Sequence, residues 1–160
     1  METSGKPLNG GQILANALVR QGVDLAFGVP GESFLPLLNG LVDHPQFQFI
    51  TCRQEGGAAY MAEAYGKLTG KPGVIMVTRG PGASNAMVGV HTAYQDSTPM
   101  VLLVGQVGTD MVEREAFQEI TTVECILNAQ NGWEASIAWI ALTNLFPMRF
   151  MWRKRVERGR

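Results

Sequence analysis

Little in this sequence points to nucleic acid, a membrane or an oxidising compartment. Of 160 residues 17% are charged and the net charge is −1, so neither sign marks a polyanionic or polycationic partner. Cysteine is scarce: Cys52 and Cys125 stand far apart with no motif around either, which reads as two free thiols in a reducing compartment. Met1 to Gly11 contains no apolar stretch, so no signal peptide is expected and the cytoplasm is the expected location. The mostly apolar run Ala135 to Met148 falls short of the ~20 residues that cross a bilayer, and Asn144 and Pro147 interrupt it. His44 and His91 lack metal-ligand spacing. Neither a P-loop nor a dinucleotide fingerprint is present, nor any internal repeat or low-complexity segment.

What remains suits one globular domain, since the length is too short for two or three of ordinary size. Apolar residues make up 46%, and 17 of the 19 glycines precede residue 121, mostly between periodic segments, where turns and close backbone approaches are made. Helical spacing predicts helices over Gln12 to Gln21 and, with Ser33 as cap, over the face Leu35, Leu37, Leu38, Leu41 and Val42. Glu55 to Leu68 is rich in helix formers. Apolar runs predict strands at Val23 to Phe27, Phe47 to Cys52, Val74 to Thr78 and Pro99 to Gly105. Arg79 to Asn85 reads as a loop leading into a helix to about Tyr94. Gly108 to Gln118 reads as a polar stretch that orders against a partner.

Strands that are apolar on both faces and alternate with helices predict an α/β fold, a parallel sheet with helices on both faces. Ligands of such folds sit beyond the carboxyl ends of the strands. That directs attention to residues 28–32, 53–56, 79–85 and 105–118. Glu55 opens a helix at the end of a strand. An acid there is favoured by the helix dipole and often does nothing more. Here Arg53 and Gln54 precede it and Gly56-Gly57-Ala58-Ala59 follow, small enough to admit a flat ligand or another chain. A carboxylate so placed could pass a proton. The Gly-rich loop Arg79-Gly80-Pro81-Gly82 could cradle a phosphate, although a close-packed turn is the simpler reading.

Taken in order, Phe27-Gly28-Val29-Pro30-Gly31, Arg53-Gln54-Glu55-Gly56-Gly57-Ala58, Thr78-Arg79-Gly80-Pro81-Gly82, Asp96-Ser97-Thr98-Pro99-Met100, Gly105-Gln106-Val107 and Ala116-Phe117-Gln118-Glu119 form a specific set. It resembles the N-terminal, pyrimidine-binding domain of acetolactate synthases and related thiamine-diphosphate enzymes, over about two-thirds of the chain. The resemblance makes Glu55 the carboxylate that hydrogen-bonds N1′ of the cofactor's aminopyrimidine. That bond favours the tautomer able to remove the thiazolium C2 proton, so that C2 attacks a 2-oxo acid and carbon dioxide leaves. It implies cofactor contacts from Gly28, Val29, Pro30, Gly80, Pro81 and Gly82, and puts Gly31, Phe117 and Gln118 near the substrate. Gln54 stands where the family commonly has His, and Glu32-Ser33 where it commonly has small residues. These departures bear on substrate choice, and decarboxylation and carboligation both stay open.

The family holds diphosphate and Mg²⁺ through a Gly-Asp-Gly motif and a later Asn-Asn, neither of which occurs here. The resemblance therefore implies that this chain contributes only the pyrimidine end of a thiamine diphosphate site and no metal site. The implied partner is the diphosphate-binding domain of a second subunit in a homo-oligomer, and the full-length parent has room for FAD. The chain then reads as a fragment. A non-catalytic binding module, or a truncated product without activity of its own, are the alternatives.

The expected organisation is a flexible N-terminus over 1–10, the pyrimidine-binding domain over 11–120 and an atypical tail over 121–160. Trp133, Trp139 and Trp152, with six of thirteen basic residues, fall in that tail. Loss of one base after codon 120 would account for it. Each original codon is then the last base of one present codon and the first two of the next. Met151-Trp152 gives Val, and Trp152-Arg153 gives Ala with the commoner Arg codons. With wobble bases chosen freely, Thr121 to Cys125 can give Asp-Tyr-Arg-Arg-Met, Asn131-Gly132-Trp133 can give Lys-Trp-Val, and the last residues can give a Gly-Arg-Thr-Gly-Pro ending. These strings resemble the family's continuation. On this reading the tail is poorly ordered and the domain lacks its last strand.

Overall fold

A computed structural model describes residues 7–120 and the backbone of 137–142. Five parallel strands form one sheet in the order β2-β1-β3-β4-β5. They are β1 (Leu25–Gly28), β2 (Gln48–Thr51), β3 (Gly73–Thr78), β4 (Met100–Gly105) and β5 (Ile137–Leu142). The helices are α1 (Gly10–Arg20), α2 (Leu35–Leu41), α3 (Glu55–Thr69) and α4 (Arg79–Gln95), with 3-10 turns at Glu32–Phe34 and Thr109–Met111. The order reverses between β1 and β3, and in folds of this kind ligands sit beyond the strand ends at that point.

The alternation of β3 explains the layering. Ile75 and Val77 face a core shared with Ala58, Ala59 and Ala62 of α3 and Ala86, Val90 and Ala93 of α4. Val74 and Met76 face the opposite core, shared with Leu14 and Leu18 of α1 and Leu37 and Leu41 of α2. The strand is thus buried on both sides and reads as a continuous apolar run. The α3–α4 contact is made by small residues: a Cβ on Gly89 would lie 2.5 Å from the Cβ of Ala59. At the strand beginnings, Lys67 Nζ bridges Glu63 at 2.8 Å and Asp96 at 2.6 Å, while Thr98 Oγ1 donates to the buried Glu63 at 3.1 Å.

Several local expectations differ from the structure. Asn9, placed in the flexible N-terminus, caps α1 in a capping box with Gln12. Ser33 does not cap α2; it lies within the 3-10 turn, and its hydroxyl hydrogen-bonds Thr78 Oγ1 at 2.6 Å instead. The expected loop 79–85 is already helix. The first four helical N–H groups need no intrahelical acceptor, so Pro81 in the first turn breaks nothing. Residues 108–120 find partners within the chain itself. A strand at Ile137–Leu142 pairs in parallel with β4, where the sequence reading placed none. Cys52 is a free thiol, and Cys125 lies outside the described residues.

Candidate functional site

The loop after β1 and the first turns of α3 and α4 meet at the carboxyl ends of the strands. Gly28 ends β1 under the Met76 carbonyl, against which any side chain would collide. Val29 is half-buried and Pro30 exposed. Gly31 turns the chain so tightly against β3 that a Cβ there would lie 2.5 Å from Thr78 Cβ. The Ser33–Thr78 hydroxyl pair then ties this loop to β3.

Glu55 is the first residue of α3, in line with the expectation for that position, and is partly buried. The Gln54 side chain accepts from Gly57 N at 2.8 Å and fixes the helix start. Asn85 Nδ2 donates to Glu55 Oε2 at 3.1 Å. The other oxygen, Oε1, has no hydrogen-bond partner among the described residues and faces Gly82, whose added Cβ would be 3.6 Å away. A carboxylate held by one oxygen and offering the other beside a residue without a side chain can take an N–H donor from a flat ring. Gly82 keeps a side chain away from that oxygen, so the side chains present fit the pyrimidine end of thiamine diphosphate.

The first turn of α4 is strained. Arg79 has φ 41°, a region rarely used by residues other than glycine, and such a residue costs about 1–3 kcal/mol. Its Nη1 pairs with Glu32 Oε1 at 2.7 Å, and its guanidinium carbon lies 5.8 Å from the centre of the Phe117 ring. The orphan N–H of Gly80 donates to the Gln118 carbonyl at 3.0 Å, which lays the segment 113–120 across the start of α4.

That segment is organised around a carboxylate. Glu119 accepts backbone N–H groups from Glu113 at 2.6 Å and Ala116 at 3.0 Å. Glu113, Glu115 and Gln118 all have positive φ, 64°, 52° and 61°, a winding that turns amides inward. The amides of Glu113, Ala116 and Arg114 hold the Glu119 carboxyl below its ordinary 4.5.

The residues singled out from sequence therefore fall into two groups. Glu55 and Gly82 come together through Asn85. Gly31, Gly80, Phe117 and Gln118 gather around Arg79 and Glu32. Sequence reasoning missed Asn85, Glu119 and the role of Arg79. The signal for Arg79 was a cation inside a Gly-rich segment at the switch point; nothing local marks Asn85. His91 is exposed on α4, its ring centre 6.5 Å from that of Tyr94. Among the described residues no group of three or more His, Cys, Asp or Glu could hold a metal ion, and no helix is long and apolar enough to cross a membrane.

Residues 8–125 match the family described as thiamine pyrophosphate enzyme, N-terminal TPP binding domain. The chain is 43% identical over 123 residues to the mitochondrial acetolactate synthase catalytic subunit of Saccharomyces cerevisiae, covering 77% of this chain and 18% of that protein. It is 44% identical over 118 residues to the acetolactate synthase large subunit of Lactococcus lactis, covering 74% and 20%. With the mitochondrial acetolactate synthase catalytic subunit of Aspergillus candidus it shares 45% over 114 residues, covering 71% and 16%. The chain thus spans about a fifth of the length of these curated relatives.

Proposed function

The chain belongs to the thiamine pyrophosphate enzymes, as their N-terminal TPP binding domain, and from that premise we propose that it supplies the activating glutamate of an acetolactate synthase-like enzyme acting on 2-oxo acids. Thiamine diphosphate, when bound, supplies an electron sink for the carbanion left when a 2-oxo acid loses carbon dioxide. The domain's own part is to bind and orient the pyrimidine and to hold a proton at Glu55. Oε1 of Glu55 takes the ring N1′ as its partner, while Asn85 keeps the carboxylate from turning away. Gly28, Val29, Pro30 and Gly80, Pro81, Gly82 form the walls, and Gly31, Phe117 and Gln118 stand toward the substrate. The observation that carries this reading is Oε1 beside Gly82, without a hydrogen-bond partner among the described residues.

The remaining parts of the site come from a diphosphate-binding domain of a second subunit in a homo-oligomer, which brings Mg²⁺; any FAD belongs to the full-length parent. Cytoplasmic residence fits the sequence reading. The 160-residue chain by itself is then a fragment without carboligase activity. The shifted-frame reading of 121–160 rests on codon arithmetic, and the DNA across codon 120 tests it.

The test of the main reading is Glu55→Gln in a full-length enzyme carrying this domain. An amide keeps the shape but cannot favour the same tautomer. Turnover should fall by about 10²-fold or more with the fold intact. Near-normal turnover would leave Glu55 as a helix-end acid only.

A further inference from the structure

Arg79 is held in a way that structural packing does not need. It sits at the end of β3, beside the point where the strand order reverses, on a left-handed backbone with φ 41°. Its side chain is only 15% exposed, and Nε is buried with no hydrogen-bond partner among the described residues. A guanidinium carries five donors in a fixed fork and no acceptor, a shape that matches a carboxylate on two adjacent N–H groups. Here Glu32 takes Nη1 alone, so the fork is only partly used.

The two groups that cover Arg79 are themselves poorly anchored. Glu32 is 66% exposed, and its carboxylate has no other hydrogen bond among the described residues. Phe117 is 72% exposed, and its ring lies 5.8 Å from the guanidinium carbon. Both can swing out into solvent at little cost. The backbone beneath them is far firmer: Ser33 is tied to Thr78, Gly80 N to Gln118 O, and Glu119 to the amides of Glu113 and Ala116. A fixed guanidinium under a removable carboxylate and a removable ring is an anion site with an internal occupant.

We propose that Arg79 recognises the carboxylate of the 2-oxo acid, with Glu32 holding its place until substrate arrives. The proposal rests on the thiamine-dependent reading above and deepens it by naming a specificity residue. No bond is made or broken in the exchange: the substrate carboxylate replaces that of Glu32 on the fork, and Phe117 moves aside. Charge stays balanced at the site because one carboxylate leaves as the other enters, and the displaced Glu32 is hydrated at the surface.

The test uses the whole 160-residue chain and the ¹H–¹⁵N signal of Arg79 Nε, titrated with sodium pyruvate against sodium chloride at matched ionic strength. A saturable shift with pyruvate alone is expected. The apparent affinity should tighten by about tenfold in Glu32→Gln, as expected if the internal pair occupies Arg79 about nine-tenths of the time. Equal shifts with chloride, or no shift with pyruvate, would overturn the proposal. In a full-length enzyme carrying this domain, Arg79→Lys should raise KM for the 2-oxo acid by about tenfold, more than it lowers kcat. A saturable shift with an unchanged KM would overturn the substrate role. Absence of thiamine diphosphate-dependent turnover in the unaltered full-length enzyme would instead count against the functional reading, and the chloride-controlled titration would still decide whether Arg79 binds a carboxylate.

Discussion

Asn85 Nδ2 donates to Glu55 Oε2 at 3.1 Å, and this single bond fixes which face of the carboxylate is left open. Glu55 opens α3 and Asn85 lies in the second turn of α4, so the bond also sets α4 against α3 at the site. Asn85→Ala should leave Glu55 free to rotate about its own side chain. We expect kcat of a full-length enzyme to fall roughly tenfold through lost orientation, with the melting temperature nearly unchanged because Asn85 is exposed. Steady-state kinetics beside a thermal melt checks this.

Gly28 and Gly10 should respond oppositely to the same substitution. A methyl group at Gly28 collides with the Met76 carbonyl in the middle of the sheet, whereas at Gly10 nothing lies within 4 Å. Gly28→Ala should cost about 1–3 kcal/mol or more, as overpacking does. Gly10→Ala should be neutral or stabilising by up to ~1 kcal/mol, since it opens α1 with a better helix former. Urea unfolding of both variants would measure the difference.

Stability should weaken at the two ends of the pH scale through two identifiable groups. Hydrogen bonds donated by Lys67 to Asp96 and Glu63 raise its pKa from 10.5 to about 12. Its contribution is therefore complete below 10.5 and lost as pH rises through about 12. Glu119 is lowered by backbone hydrogen bonds, so its contribution is present above 4.5 and lost as pH falls through the lower folded value. Lys67→Met should lower the denaturation midpoint at pH 8, with the gap to the unaltered chain closing toward pH 12. Adding Glu63→Leu should recover part of the loss, because removing a buried carboxylate is easier than leaving it unpaired. A midpoint difference that stays constant across that range would show that Lys67 acts by packing alone.

The layered fold was legible because β3 and β4 are apolar on both faces and the glycines punctuate the elements. Glu55 was legible because it follows a strand and opens a helix. Other features depend on contacts distant in sequence. Ser33 has the chemistry of a helix cap, yet Thr78 competes for its hydroxyl across 45 positions. The Gly-Pro-Gly of 80–82 looks like a turn, but the first turn of a helix needs none of those amides for itself. Asn85 is six residues past the helix start and meets Glu55 across a seam where Gly89 lets α4 approach Ala59 closely. The strand Ile137–Leu142 lay in a segment whose composition had set it apart from the rest of the domain.

The central claim is that Glu55 activates the cofactor through its pyrimidine. Exchange of the thiazolium C2 proton of enzyme-bound thiamine diphosphate, followed by NMR after transfer to deuterium oxide, reports that step without any substrate. In a full-length enzyme carrying this domain, Glu55→Gln should slow the exchange by about 10²-fold or more relative to the unaltered protein while cofactor remains bound. Equal exchange rates in the two proteins would contradict the claim.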